Sequence, residues 1–227
     1  MLHLDCSANR SAESVTRQLT REFADRWAGP GYRYRDLAAD PVPPIDTAYC
    51  QLGRRSERLG VVPLVDVDQL IQSEAEAEAW ALTRPLIEEV RAASVLLIGA
   101  PLYNYALPAS LKAWIDRITF PGAFADDVLR DLRVVVVTAS GGAYGPGAPR
   151  EGWDHQEPYL RRYFGNLGVQ DLTLVRAELT LTGLVDRLAE FKPLAERSLA
   201  EARARITRWH PPVRAQARPE VETHAAS

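Results

Sequence analysis

Two hydrophobic periods alternate along this chain. Leu2, Leu4 and Cys6 alternate with polar neighbours, and Met1 to Cys6 reads as a first strand. From there an apolar side chain recurs every fourth residue, at Val15, Leu19, Phe23 and Trp27. That spacing predicts an amphipathic helix, with Ser14 as a suitable N-cap and Gly29-Pro30-Gly31 as its stop. Tyr32 to Asp36 reads as a short second strand. Leu37 to Gly60 is proline-broken and charged, and its Arg54-Arg55-Ser56-Glu57-Arg58 run reads as a solvated loop or short helix. Gln72 to Ala92 predicts a helix burying Ala79, Leu82, Leu86, Ile87 and Val90, kinked or broken near Pro85. Ser94 to Gly99 is a third strand and Pro108 to Ile118 the next helix. Arg133 to Thr138 holds four consecutive valines, the mark of a strand buried on both faces. A helical stretch begins at Tyr159 to Asn166, and Leu172 to Ala177 is a fifth strand. Ala195, Leu199, Ala202, Ile206 and Trp209 mark a last helix.

Strands alternating with helices predict one α/β domain over residues 1–209, a parallel sheet with helices on both faces. With a strand opening almost at the first residue, no preceding domain is expected. The polar segment 210–227 is expected to be disordered. A dinucleotide fold of the glycine-rich kind is the runner-up, disfavoured because the first loop, Cys6 to Thr16, contains no glycine.

Composition narrows the function. A net charge of -3 over 227 residues gives no electrostatic reason to expect nucleic acid. Neither a membrane-length apolar run nor a secretory signal is visible, so a cytoplasmic location is expected. Cys6 and Cys50 form neither a disulfide framework nor a metal motif and read as reduced thiols.

The chemistry lies in three loops at the carboxyl ends of strands, where open α/β sheets bind ligands. In the first, Ser7, Ser14 and Thr16 bring hydroxyls and Arg10 a charge to a helix start. That arrangement suits a monophosphate, and it equally suits an ordinary polar helix cap. In the second, Pro101-Leu102-Tyr103-Asn104-Tyr105 offers two rings and an amide to a flat, polar-edged cofactor. In the third, Thr138-Ala139-Ser140-Gly141-Gly142 lets the main chain approach a ligand closely. Tyr144 and His155 are candidate proton donors, and Trp153 a ring for stacking or for covering an apolar edge.

Together these motifs, with Leu111-Lys112-Ala113-Trp114-Ile115-Asp116 after the second loop and Arg35 to Pro43 as a lesser match, resemble the flavodoxin-like FMN-dependent NAD(P)H oxidoreductases of the bacterial azoreductase and quinone reductase family. The resemblance covers residues 1–209. It implies a five-stranded sheet in the order 2-1-3-4-5, non-covalent FMN, NADH or NADPH as co-substrate, and a homodimer with the active site at the interface. It implies that Ser7, Ser14, Val15 and Thr16 hold the phosphate. Pro101, Leu102, Tyr103, Asn104 and Tyr105 would lie along the isoalloxazine, and Thr138, Ser140, Gly141 and Gly142 about its pyrimidine edge. The implied activity passes hydride through the flavin to a quinone or azo acceptor by a ping-pong cycle. The chain departs from the family at Ser140, where an arginine or other large polar residue is common, at the short segment 119–124, and at Asn166, where many members carry an aromatic. Those departures keep open a specialised enzyme tailoring an aromatic metabolite. Modest acidity and length disfavour an electron carrier, and a flavin-binding regulatory module without turnover remains a further alternative.

Overall fold

The computed structural model describes residues 1–210 except 28, 30, 61, 126 and 127. Apart from His210, the tail expected to be disordered lies outside the described residues, as does Pro30 of the first helix stop. Five strands, β1 (Leu2–Asp5), β2 (Arg33–Asp36), β3 (Val95–Gly99), β4 (Arg133–Ala139) and β5 (Asp171–Ala177), form one parallel sheet in the order β2-β1-β3-β4-β5. This is the order the resemblance implied. Helices α1 (Val15–Ala24) and α6 (Lys192–Arg208) cover one face. Helices α2 (Thr47–Arg58), α3 (Glu74–Ala92), α4 (Ala109–Ile118) and α5 (Gln156–Asn166) cover the other.

The pleat divides the core. Leu96, Ile98, Val134 and Val136 face the four-helix layer, whereas Val95, Leu97, Val135 and Val137 face α1 and α6. Burial on both faces explains the unbroken apolar runs of β3 and β4. In β1 the same alternation sends Leu2 and Leu4 to the large layer. It sends His3 and Asp5 toward α1, where Thr20 donates to Asp5 Oδ1 at 2.9 Å. Gly99 sits across from that pair: a Cβ there would stand 2.6 Å from Asp5 Oδ1. Only glycine lets β3 run beside a buried carboxylate at this point.

Three local expectations change. The charged run 54–58 is neither loop nor short helix but the end of the twelve-residue α2. Arg54, Glu57 and Arg58 are exposed, as a solvated run requires, but Arg55 reaches across to Glu76 on α3 and Ser56 packs inside. Helix α3 runs unbroken through Pro85. Pro85 and Ala81, whose carbonyl loses its partner, both lie on the exposed side, where water can serve that carbonyl. Leu82, expected inside, is exposed, and the inner stripe is completed instead by Trp80, Thr83 and Glu89. Glu89 is neutralised by Arg33 and Arg35 of β2.

Candidate functional site

Where β1 stops, Ser7 to Ser14 loops into α1. Ser14 occupies the N-cap position, yet its hydroxyl caps nothing. It donates instead to Ser7 Oγ at 3.0 Å and lies 3.2 Å from Thr16 Oγ1. All three hydroxyls are buried in one cluster at the positive end of the α1 dipole, with no acidic residue in the first turn. The expected Ser14 cap is thereby corrected: a hydroxyl cluster stands at a helix start whose first N–H groups have no side-chain acceptor. Such a donor set fits a phosphate monoester.

The loop is pinned by a residue the sequence reading passed over. Arg17, one turn into α1, donates to the carbonyls of Ser7 (2.8 Å) and Asn9 (3.1 Å). Its other contacts are both oxygens of Asp36, at 2.7 and 2.9 Å, the Tyr34 hydroxyl at 3.2 Å and Asp5 at 3.5 Å. Arg10, expected to lend charge to the loop, is exposed and turned toward Asp36 at 3.4 Å. Burial pushes the Asp36 carboxyl up, but Arg17 and the Ala38 and Ala39 amides outweigh it and hold the group below the usual carboxylate range. The same balance holds for Asp5, lowered against its burial by His3, Thr20 and Tyr34. Tyr34, donating to Asp5 at 3.0 Å, is pushed up to about 12 by burial and the Asp5 charge.

After β3 the chain makes a tight reversal. Tyr103 and Ala106 exchange two backbone hydrogen bonds of 3.0 Å around Asn104 and Tyr105, at φ 47° and 70°. Both central residues are left-handed, as in a primed hairpin turn. Asparagine tolerates this region; tyrosine is strained there, by about 1–2 kcal/mol. The conformation is held from outside: His155 N–H donates to the Tyr105 carbonyl at 2.9 Å, and Arg150 donates to its hydroxyl at 3.1 Å. Tyr103 carries its half-exposed ring to the first loop, where its hydroxyl accepts from Ala8 N–H at 3.1 Å. That bond joins the hydroxyl loop to the aromatic loop.

The third loop closes the rim. Leu102 N–H donates to Ala139 O, and Ser140 N–H to Ala177 O. Ser140 Oγ turns back to the Gly142 carbonyl at 2.7 Å. Gly141 faces Leu181, and Gly142 lies against the Tyr144 ring. Tyr144 packs edge-on to Tyr105, with centroids 5.9 Å apart. Trp153 does the same from another side at 5.1 Å. Buried Gln156, the first residue of α5, ties the second and third loops together by donating to Ala100 O and Thr138 Oγ1, both at 3.0 Å. Pro101 is buried beneath this seam. His155 is exposed and belongs, with Tyr159, Arg162, Tyr163 and Asn166, to an open depression of about 570 Å³ along α5.

Thus the residues expected at the site do gather at one rim, Tyr144 among the aromatic rings and His155 touching Tyr105 through its backbone. Arg17, Gln156 and Arg150 were missed. Arg17 lies one helical turn after Ser14, and Arg150 one turn-length before Trp153, the only local hints of either role.

Among the described residues no cluster of histidine, cysteine and carboxylate could hold a metal ion, and no helix is long and apolar enough to cross a membrane. Residues 1–206 match the family described as flavodoxin-like fold. An FMN-dependent NADH:quinone oxidoreductase from Nocardia farcinica is 42% identical over 207 residues, covering 89% of this chain and 93% of that protein. FMN-dependent NADH:quinone oxidoreductase 3 from Pseudomonas aeruginosa is 38% identical over 211 residues, 88% of each chain. The crystal structure of an azoreductase from Bacillus anthracis shares the fold, with a TM-score of 0.72 at 21% identity, over 92% of this chain and 98% of that one. The chain belongs to the flavodoxin-like family of FMN-dependent NADH:quinone oxidoreductases and azoreductases.

Proposed function

We propose that this chain binds FMN at the rim and uses it to reduce quinone or azo-type aromatic acceptors at the expense of NADH or NADPH. The observation that carries the reading is the direct tie between a hydroxyl-lined, uncapped helix start and a strained aromatic loop, made by Tyr103 and Ala8. One end offers donors for a single anionic group and the other offers flat apolar surface with polar edges. The names of the relatives, all carrying FMN and quinone, point the same way.

On this reading Ser7, Ser14 and Thr16, with the Val15 backbone, hold the phosphate. Pro101 to Tyr105 hold the ring system, and Thr138, Ser140, Gly141 and Gly142 frame its polar edge. FMN, when bound, supplies a two-electron relay between a nicotinamide hydride donor and the acceptor. The residues orient the two partners in turn and exclude water. Tyr144, beside Tyr105, is the better placed source of a proton for the reduced acceptor; His155 is the second. Alternate use of one site implies ping-pong kinetics. The family resemblance supports a homodimer in the cytoplasm.

The test is direct. Purified protein should be yellow, release FMN on denaturation, and lose its colour when NADH is added without oxygen. Double-reciprocal plots at several quinone concentrations should be parallel. Colourless protein that takes up no FMN from excess would overturn the reading.

A further inference from the structure

The aromatic rim carries a cation that the proposed chemistry does not use. Arg150 donates to the Tyr105 hydroxyl at 3.1 Å, and its guanidinium carbon lies 5.9 Å from the Tyr105 ring centre and 5.6 Å from that of Trp153. An exposed arginine held by one hydroxyl and two rings has lost much of its rotamer freedom before any ligand arrives. No carboxylate is drawn to it directly, because those nearby hold other donors. Glu151 accepts from Gly147 N–H, Glu178 from Tyr144 N–H, and Asp154 from the N–H groups of Gln156 and Glu157 at the start of α5. Glu157 pairs with Arg161 and Arg176. Among the described residues, no carboxylate forms an ion pair with Arg150. The remaining N–H groups of its fork are therefore free to meet a planar anion, at the edge of a surface that suits flat rings.

We propose that Arg150, set across Tyr105 and Trp153, makes this site select planar aromatic acceptors that carry a carboxylate or sulfonate. The inference rests on the reductase reading and names the acceptor class for that same site. An anionic group on the acceptor meets the guanidinium while its rings lie along the aromatic side chains. An exposed charge pair of this kind contributes modestly and is weakened by salt.

The experiment compares menadione with a naphthoquinone sulfonate as acceptors for FMN-loaded protein and NADH. The quantity read is the ratio of kcat/KM, sulfonate over menadione. Arg150→Gln should lower that ratio about fivefold, and Arg150→Glu further. Raising salt should shrink the ratio in wild type and leave it nearly constant in Arg150→Gln. A second readout needs no turnover: calorimetric titration with naphthalene sulfonate against naphthalene sulfonamide. Wild type should prefer the sulfonate, and Arg150→Gln should not. Two outcomes overturn the inference. One is a ratio unchanged in Arg150→Gln. The other is a fall of both acceptors in step, which marks Arg150 as a mere prop for Tyr105. Failure of FMN-loaded protein to oxidise NADH with either quinone strikes the reductase reading itself, while the titration still reports whether Arg150 holds the sulfonate.

Discussion

The two ends of the rim are built in opposite ways. The hydroxyl loop rests on buried charge: Arg17 clamps two loop carbonyls and is itself held by Asp36 and Asp5. The aromatic loop rests on half-exposed rings, backbone hydrogen bonds and one arginine, and it keeps Tyr105 in a strained conformation. Buried charged hydrogen bonds are costly to break, because removing one partner strands the other. Exposed ring contacts are cheap to break and can rearrange. The first end is thus suited to fixing one constant group, and the second to admitting different flat molecules in turn.

The contrast can be broken most sharply at Arg17. Arg17→Met takes the buried guanidinium from Asp5 and leaves Asp36 only the exposed Arg10, and should cost about 3–5 kcal/mol of unfolding free energy, read by urea titration. Arg17→Lys should recover only part of it, since an ammonium cannot bridge two carboxylates and two carbonyls as the fork does.

A pair of glycines sharpens the same point. Gly99→Ala drives a methyl against Asp5 Oδ1 at 2.6 Å and Thr20 Cγ2 at 2.8 Å, both buried, and should cost about 1–3 kcal/mol. Gly141→Ala meets Leu181 Cδ1 at a nominal 2.5 Å, but Leu181 is an exposed side chain able to swing away. Its stability loss should stay under about 1 kcal/mol in the same titration. Equal losses for the two alanines would mean that the ends of the rim do not differ in rigidity.

Ser14→Ala comes next. It removes a hydroxyl bonded to Ser7 and next to Thr16, and should weaken FMN about tenfold while riboflavin, which has no phosphate, is weakened less. Equal weakening of the two flavins would remove the phosphate from this loop.

The smallest effect is expected in acid. Asp5 and Asp36 are held below the ordinary 3.8 in the folded protein. Their contribution is therefore fully present above that value and is lost as pH falls through their lower folded values. In Arg17→Met the Asp36 value rises, so the acid transition followed by circular dichroism should move to higher pH. An unmoved transition would separate Arg17 from the carboxylates.

What the sequence determined by itself was local. Alternation marked β1, unbroken apolar runs marked β3 and β4, and near-four spacing marked most helices, because each element's inner face is set by residues within one or two turns. The same logic placed three ligand-type loops at strand ends, and the family likeness set their order in the sheet. What only the tertiary structure decided was which polar group meets which. Asp36 is 19 residues from Arg17, and Tyr105 is 45 from Arg150. No short window of sequence contains both members of either pair. The exposure of Leu82, the tolerance of Pro85 and the uncapped Ser14 have the same origin. Neighbours contributed by distant segments outweigh the propensities of the residues themselves, and those neighbours exist only once the sheet has closed.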